Sequence, residues 1–393
     1  MTSTPTAGTR PDDVRRHNRA ALLRRLHVDG PATRAKLATA LGLNRSTIKA
    51  LVDGLAEDGV VEERVPAQRS GAGRPSLLVL PQPQAAVVLA IDIRVDRAAM
   101  ALVGIGGQIL GRDSWRVREE KRREPREVFT KIMDCYGPLI AEEDASPVAV
   151  GVSVPGVVRH ADGFVHEAPN LHWSDVPLGA WLSHALKLPV HMGNDGELGA
   201  LAEHLRGAAR AVDDMVYVSA EVGVGGGVIS NGVSLRGAGG HHIGEVGHMV
   251  VRPGGRQCYC GSKGCWETEV GESALCRALG LEEDSPVGAI VAELRALAAR
   301  GEAELERLDE FTEWLALGLG NVVNLLCPQL VVLGDLFTAL PAPVVERVER
   351  KVRESSLVSR ALGGTRVVTS KLGSDANLLG AAELAFETVL AGW

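Results

Sequence analysis

The chain has 393 residues, 45% of them hydrophobic but only 4% aromatic, with 46 glycines and a formal net charge of −7. That length allows two or three domains, with cores built from Val, Leu, Ile and Ala rather than from rings. No stretch approaches the ~20 uncharged apolar residues that cross a bilayer, and the first twenty residues hold no apolar segment of secretory type. A membrane partner is therefore not expected, and the cytoplasm is the expected compartment.

The charge is uneven. Residues 10–74 hold 13 Lys and Arg against 8 Asp and Glu, so a head of +5 precedes a body of −12. A basic head on an acidic body suggests a polyanion partner for the head. Its first pattern, "DDVRRHNRAALLRRLHVDG", predicts a helix with Ala21, Leu22 and Leu26 on one face, ended by Gly30-Pro31. In "TRAKLATALGL", Thr33 is placed to cap a second helix bearing Leu37, Ala38 and Leu41. Gly42 supplies a sharp turn. Asn44 then caps a third helix, whose Ile48, Leu51, Val52 and Leu55 follow the i, i+3, i+4, i+7 rule. Two β-type runs, "VVEER" and "SLLVL", flank "VPAQRSGAGRP".

Helix, helix–turn–helix and two-stranded ribbon is the order of a winged helix-turn-helix. Its recognition helix enters the major groove of double-stranded DNA with its N-terminal residues leading. The expected DNA contacts are Asn44, Arg45, Ser46, Thr47 and Lys49, with Arg34 near a backbone phosphate and Arg69 and Arg74 in the wing. Residues 12–80 are read as this domain and 81–86 as a linker.

The body, 87–393, alternates β-rich runs with helical stretches at 125–143, 178–187, 196–209, 272–300 and 309–325. Such alternation argues for an α/β fold, and about 310 residues should divide into two lobes with a cleft between them.

Half of the six cysteines crowd into "CYCGSKGCWE" at 258–267. In a reducing compartment, such clustering points to metal ligation rather than to disulfides. Cys258, Cys260 and Cys265 offer three thiolates, with His248 of "GEVGHM" the nearest suitable fourth donor upstream. Glu267 is a poorer companion for three thiolates. One structural zinc per chain, held in a loop spanning 248–267, is the expectation. Cys135, Cys276 and Cys327 lie in apolar surroundings and read as packed small residues.

The motifs "GVSVPGVV", "APNLHW", "GNDGELGALAE", "GVGGGVISNG", "GEVGHM" and "CYCGSKGCWE", in this order, resemble the ROK family of repressors and sugar kinases. The resemblance implies an actin-like, ribonuclease-H-like two-lobed ATPase fold behind the head. It carries sugar contacts to Asn170, Asn194, Asp195, Glu245, His248 and Glu267, zinc to His248, and the kinases' general base to Asp195. It also exposes departures. The family's kinases read Asp-x-Gly-Gly-Thr at the first strand turn, where this chain has Asp92 followed by Arg94, Val95 and Asp96. A Gly-Thr-Gly phosphate loop becomes Glu221-Val222-Gly223, and Asp335 replaces a common glycine.

A side chain fills space that phosphate needs, and a carboxylate ~4 Å from phosphate is repulsive by about 4 kcal/mol at an effective dielectric of about 20. No ATP is expected, and Arg94 should pair with Glu221 across the cleft. The sequence thus predicts a sugar-responsive regulator, a repressor of carbohydrate uptake or catabolism genes, with no catalytic residue expected. It would bind operator DNA and a sugar or sugar phosphate, and work at the nucleoid as a homodimer or homotetramer. A hexose kinase with an appended DNA-binding head is the alternative, and a body serving only assembly is a third reading.

Overall fold

A computed structural model describes residues 11–65, 77–116, 124–283 and 285–393. Helix α1 (Pro11–Asp29) opens with proline at its first position and Asp12 and Asp13 in its first turn, where the helix dipole favours negative charge. Strand β1 (Ala32–Thr33) leads into α2 (Arg34–Leu41), whose cap is Thr33, accepting from the Lys36 amide. Gly42, at φ 64°, turns the chain towards α3 (Arg45–Glu57), whose Asn44 cap accepts from the Thr47 amide. Ile48, Leu51, Val52 and Leu55 are all buried, as their spacing predicts.

Strands β2 (Val61–Arg64) and β3 (Leu78–Pro81) pair antiparallel, and β1 adds to the far side of β3. The sequence reading missed this third strand, because two residues carry no periodicity. Arg69 and Arg74, expected in the wing, lie outside the described residues.

The body holds two five-stranded sheets of one design. The first contains β4 (Val87–Ile93), β5 (Arg97–Gly104), β6 (Ile109–Arg116), β7 (Ala149–Val154) and β11 (Val190–Asn194). Helix α4 (Pro125–Glu142) follows β6. Between β7 and β11 come a small sheet of β8 (Val157–Arg159), β9 (Phe164–Ala168) and β10 (Trp173–Val176), then helix α5 (Leu178–Leu186). Helix α6 (Asp195–Arg206) leads to the second sheet, β12 (Met215–Ala220), β13 (Val224–Ser230), β14 (Val233–Ser234), β15 (Leu330–Asp335) and β16 (Arg366–Thr369).

The sheet orders are β11-β7-β4-β5-β6 and β14-β13-β12-β15-β16. In each, three antiparallel strands are extended by two parallel ones on the side of the first strand. The central strands β4, β7 and β12 are almost wholly buried, so they read as continuous apolar runs rather than alternating ones. This is the two-lobed, actin-like arrangement.

The stretch 272–300 is not one helix. It is α8 (Glu272–Leu279) and α9 (Val287–Arg300), following the short α7 (Glu267–Val270) and broken where Gly280 takes φ 73° and Pro286 precedes the second segment. Helices α10 (Asp309–Leu326), α11 (Ala342–Ser355) and α12 (Leu357–Ala361) complete the second lobe. Cys135 and Cys276 are buried as expected, but Cys327 is exposed, because it caps α10 at φ 52° where the chain turns outward. The last helix, α13 (Ala376–Ala391), returns to pack on β4, β7 and α6.

The segment expected as a linker is docked. Residues Pro83–Ala85 form a 3-10 turn, the Ile105 amide donates to the Pro83 carbonyl, and Ala86 is buried. One apolar cluster runs from Leu22, Leu23 and Leu26 of the head through Val88 and Ala101 to Phe386 and Leu390 of α13. No helix among the described residues is long and apolar enough to cross a membrane.

Candidate functional site

A cavity of about 490 Å³ opens between the lobes. The first lobe lines it with Val95, Pro155, Gly156, Asn170, Asn194 and Asp195. The second contributes Glu221 to Gly225 of the β12–β13 turn, His242, Glu245, His248, Tyr259, Glu267 and Asp335. All six residues expected to contact sugar therefore line one cavity, three from each lobe.

Asn194 ends β11 and caps α6, accepting from the Gly196 and Glu197 amides and donating to the Gly156 carbonyl at 3.0 Å. Asp195 is the first helical residue. Loss of hydration pushes its carboxyl up to about 6, although the Gly196 amide, donating at 2.9 Å, opposes the shift. Glu245 takes a bond at 3.2 Å from the His242 ring, and this bond holds it below the usual carboxylate range. His242 and Tyr259 were missed from the sequence. The His241-His242 doublet in the 236–248 loop was a visible signal for the former, and the place of Tyr259 between two cysteines for the latter. A chain of this kind can satisfy a ring of hydroxyls, each both donor and acceptor, with carboxylates, an amide and an imidazole.

The opposite corner differs. Arg94 is 2% exposed, although guanidinium groups are seldom buried without partners. It donates to Asp92 at 2.6 Å, to Asp335 at 2.6 Å and to the Ser374 carbonyl at 3.1 Å. Glu221 is 3.9 Å away, so the expected cross-cleft pair exists, with Asp92 and Asp335 as the nearer partners. Burial opposes the charge on Arg94, but the surrounding carboxylates more than restore it and raise its pKa further. Glu221 is pushed up to about 8 by loss of hydration, against the pull of Arg94. Asp335 adopts φ 46° and ψ −122°, a backbone region suited to glycine.

His248, Cys258, Cys260 and Cys265 bring their donor atoms within 4.8 Å of one another, so the cluster can hold a metal ion. Cys260 and Cys265 sulfurs are 3.7 Å apart, and Cys258 Sγ is 3.6 Å from His248 Nδ1. His248 Nε2 faces the other way, 3.2 Å from the Tyr259 hydroxyl. Glu267 stands beside the cluster, its Oε1 at 2.8 Å from Cys258 Sγ.

In the head, Arg45, Ser46 and Lys49 are exposed along one face of α3, and Thr47 is half-buried. Asn44 is committed to capping and to the Ser46 hydroxyl at 2.6 Å. Lys49 pairs with Asp53 at 2.7 Å. Arg34, expected near a phosphate, is engaged within the head. It donates to Glu63 and, at 2.7 Å, to Asp53, joining α2 to the ribbon and to α3.

The model of the ROK family matches residues 88–388. A xylose repressor of Bacillus subtilis strain 168 is 32% identical over 383 residues, covering 96% of this chain and 97% of that protein. Among solved structures, a ROK family transcriptional regulator, a homologue of the E. coli MLC protein, superposes with a TM-score of 0.76 at 23% identity, covering 96% of this chain and 97% of that one. A ROK family glucokinase from Streptomyces griseus, solved with glucose and AMPPNP, has a TM-score of 0.61 at 27% identity. It covers 77% of this chain and 100% of its own length.

Proposed function

The chain belongs to the ROK family, and we propose that it is a sugar-responsive transcription repressor rather than a kinase. Residues 12–80 act as a winged helix-turn-helix that lays the start of α3, with Arg45, Ser46, Thr47 and Lys49, into the major groove of operator DNA. Residues 87–393 bind the sugar through Asn170, Asn194, Asp195, Glu245, His248 and Glu267. Two half-sites need two heads, so the working unit is at least a homodimer.

The observation that carries the choice of regulator over kinase is Arg94. Its guanidinium, held by Asp92 and Asp335, fills the corner where the family's kinases turn on paired glycines. Phosphoryl transfer depends on positioning phosphate and neutralising its charge. Here the local cation is already neutralised by the protein's own carboxylates, Asp92 and Asp335.

The metal we assign to His248, Cys258, Cys260 and Cys265 is zinc. Four-coordinate zinc with these ligands has S–S edges of about 3.8 Å and S–N edges of about 3.6 Å; one edge of each kind, at 3.7 and 3.6 Å, matches, and all four donors lie within 4.8 Å of one another. Zinc held there would tie the 248–267 loop together and orient His248. With Nδ1 on the metal, the Nε2 hydrogen is left for the pocket side.

The test is fluorescence anisotropy of labelled DNA from the chain's own upstream region, with and without D-xylose and D-glucose. Tight, salt-dependent binding that changes on adding sugar is the expected result; DNA binding no better than to a random duplex would remove the reading. The kinase reading is kept in view by Asp195, a carboxyl with a pKa of about 6 on the pocket wall. Sugar-dependent ADP release that disappears in Asp195→Asn would establish it instead.

A further inference from the structure

We propose that α6 carries the state of the pocket to the head through a buried joint made by Arg206, His27 and Glu383. The proposal rests on the reading of the cleft as a sugar site and of the head as DNA-binding.

His27 belongs to α1 of the head and Glu383 to α13 of the body, and their side chains are 1% and 2% exposed. His27 Nδ1 accepts from the Gly106 amide at 2.8 Å. Its Nε2 faces two partners at once, Glu383 Oε2 at 3.0 Å and Arg206 Nη2 at 2.8 Å. Arg206, the last residue of α6, is bonded through Nε to Glu383 and donates through Nη1 to the carbonyls of Gly106 at 3.0 Å and His27 at 3.3 Å. Its guanidinium lies on the turn after β5. A Cβ at Gly107 would stand 2.2 Å from its central carbon, so a side chain on that turn would displace the guanidinium. Head, turn, α6 and α13 thus meet at one point.

Stability alone gives little reason for this arrangement, since well-packed apolar residues often replace a buried ionic cluster without loss. What such a cluster has is discreteness. Its bonds tolerate shifts of only tenths of an ångström, so it is either made or broken.

The opposite end of α6 is in the pocket. Asp195 lines the cavity, and Asn194 fixes the helix start through the Gly196 and Glu197 amides. Twelve residues span about 18 Å. Along that length α6 packs on α13 on one side and on β12 and β13 on the other. A sugar that draws Asn194 and Asp195 towards the second lobe therefore shifts Arg206 against His27 and changes how α1 sits on the body. Because α1 shares one apolar cluster with α13, the head moves as a docked unit rather than on a free tether.

The experiment uses the full chain and the sugar, D-xylose or D-glucose, that the wild type binds by calorimetry. Arg206→Met and Glu383→Gln are measured for sugar affinity and for operator affinity with and without sugar. The expected result is sugar affinity within about threefold of wild type, and a sugar-induced change in operator affinity that drops from about tenfold to under about twofold. Variants that keep the full change overturn the proposal. Should either variant fail to fold, hydrogen exchange on the wild type decides. Sugar must alter exchange in residues 22–29 and 104–108. Protection confined to 194–200 overturns the joint. A wild type that binds no sugar defeats the functional reading and this proposal with it, whereas sugar-responsive variants defeat the joint alone.

Discussion

Arg94, at the end of β4, donates to Asp335, at the end of β15, at 2.6 Å, and so bridges the two lobes at the floor of the cleft. Asp335 sits there in a conformation that favours glycine, at φ 46°. The ion pair and the strained backbone are one feature, because the pair holds the strain in place.

Removing the cation should therefore cost more than removing the anion. Arg94→Ala leaves Asp92 and Asp335 buried together without a partner, and is expected to destabilise by about 3–5 kcal/mol. Asp335→Gly also breaks the pair but releases about 1–3 kcal/mol of backbone strain. Chemical denaturation should rank Arg94→Ala as the less stable variant. The reverse order would mean that the stranded carboxylates cost less than the loss of the Asp335 side chain.

Asp195 should trade stability for recognition. Its folded pKa of about 6 lies above the ordinary 3.8, so the unfolded chain binds fewer protons between those values. Stability is then lost as pH rises from about 4 to about 6, by at most about 3 kcal/mol. Asp195→Asn should melt higher than wild type at pH 7 while binding sugar at least about tenfold more weakly. An unchanged melting curve at pH 7 would refute the stability half of this prediction.

Glu383 has the opposite sign. Burial would raise its pKa, but His27 and Arg206 overcome that and hold it below the ordinary 4.5. Its contribution is present above about pH 4.5 and is lost as pH falls through the folded value. Acid unfolding followed by circular dichroism should begin at higher pH in Glu383→Gln, with the difference from wild type shrinking as pH falls below 4.5. A constant difference down to acid unfolding would rule out the carboxylate as its source.

Metal analysis should return about one zinc per chain, and Cys265→Ser should lose most of it. Since Glu267 and His248 border both the cluster and the cavity, the loss should weaken sugar binding while operator binding persists. Full sugar affinity in a zinc-free protein would separate the two sites.

In the head, Arg45→Ala should weaken operator binding and flatten its dependence on salt, by a slope of about 0.9 if the contact is to phosphate. Arg34→Ala should act differently, lowering thermal stability, because Arg34 ties Glu63 to Asp53 inside the domain. Equal losses of DNA affinity at unchanged stability would show Arg34 to be a contact after all.

Much of this molecule is legible in one dimension. The caps Thr33 and Asn44, the stripe Ile48, Leu51, Val52 and Leu55, and the three-cysteine loop are local patterns, because helix periodicity and metal chelation act over a few residues. Departures at Arg94, Glu221 and Asp335 were equally visible, as charged side chains where phosphate-binding turns need none. The partners of those charges were not. Arg94 meets Asp335 across 241 positions and His27 meets Glu383 across 356, and no local rule encodes such distances. Only folding decided that Arg34 clamps the head, that 81–86 is docked rather than free, and that α6 joins the cavity to α1. Each is a contact between segments remote in sequence, chosen by which surfaces the two sheets and their shared helices bury together.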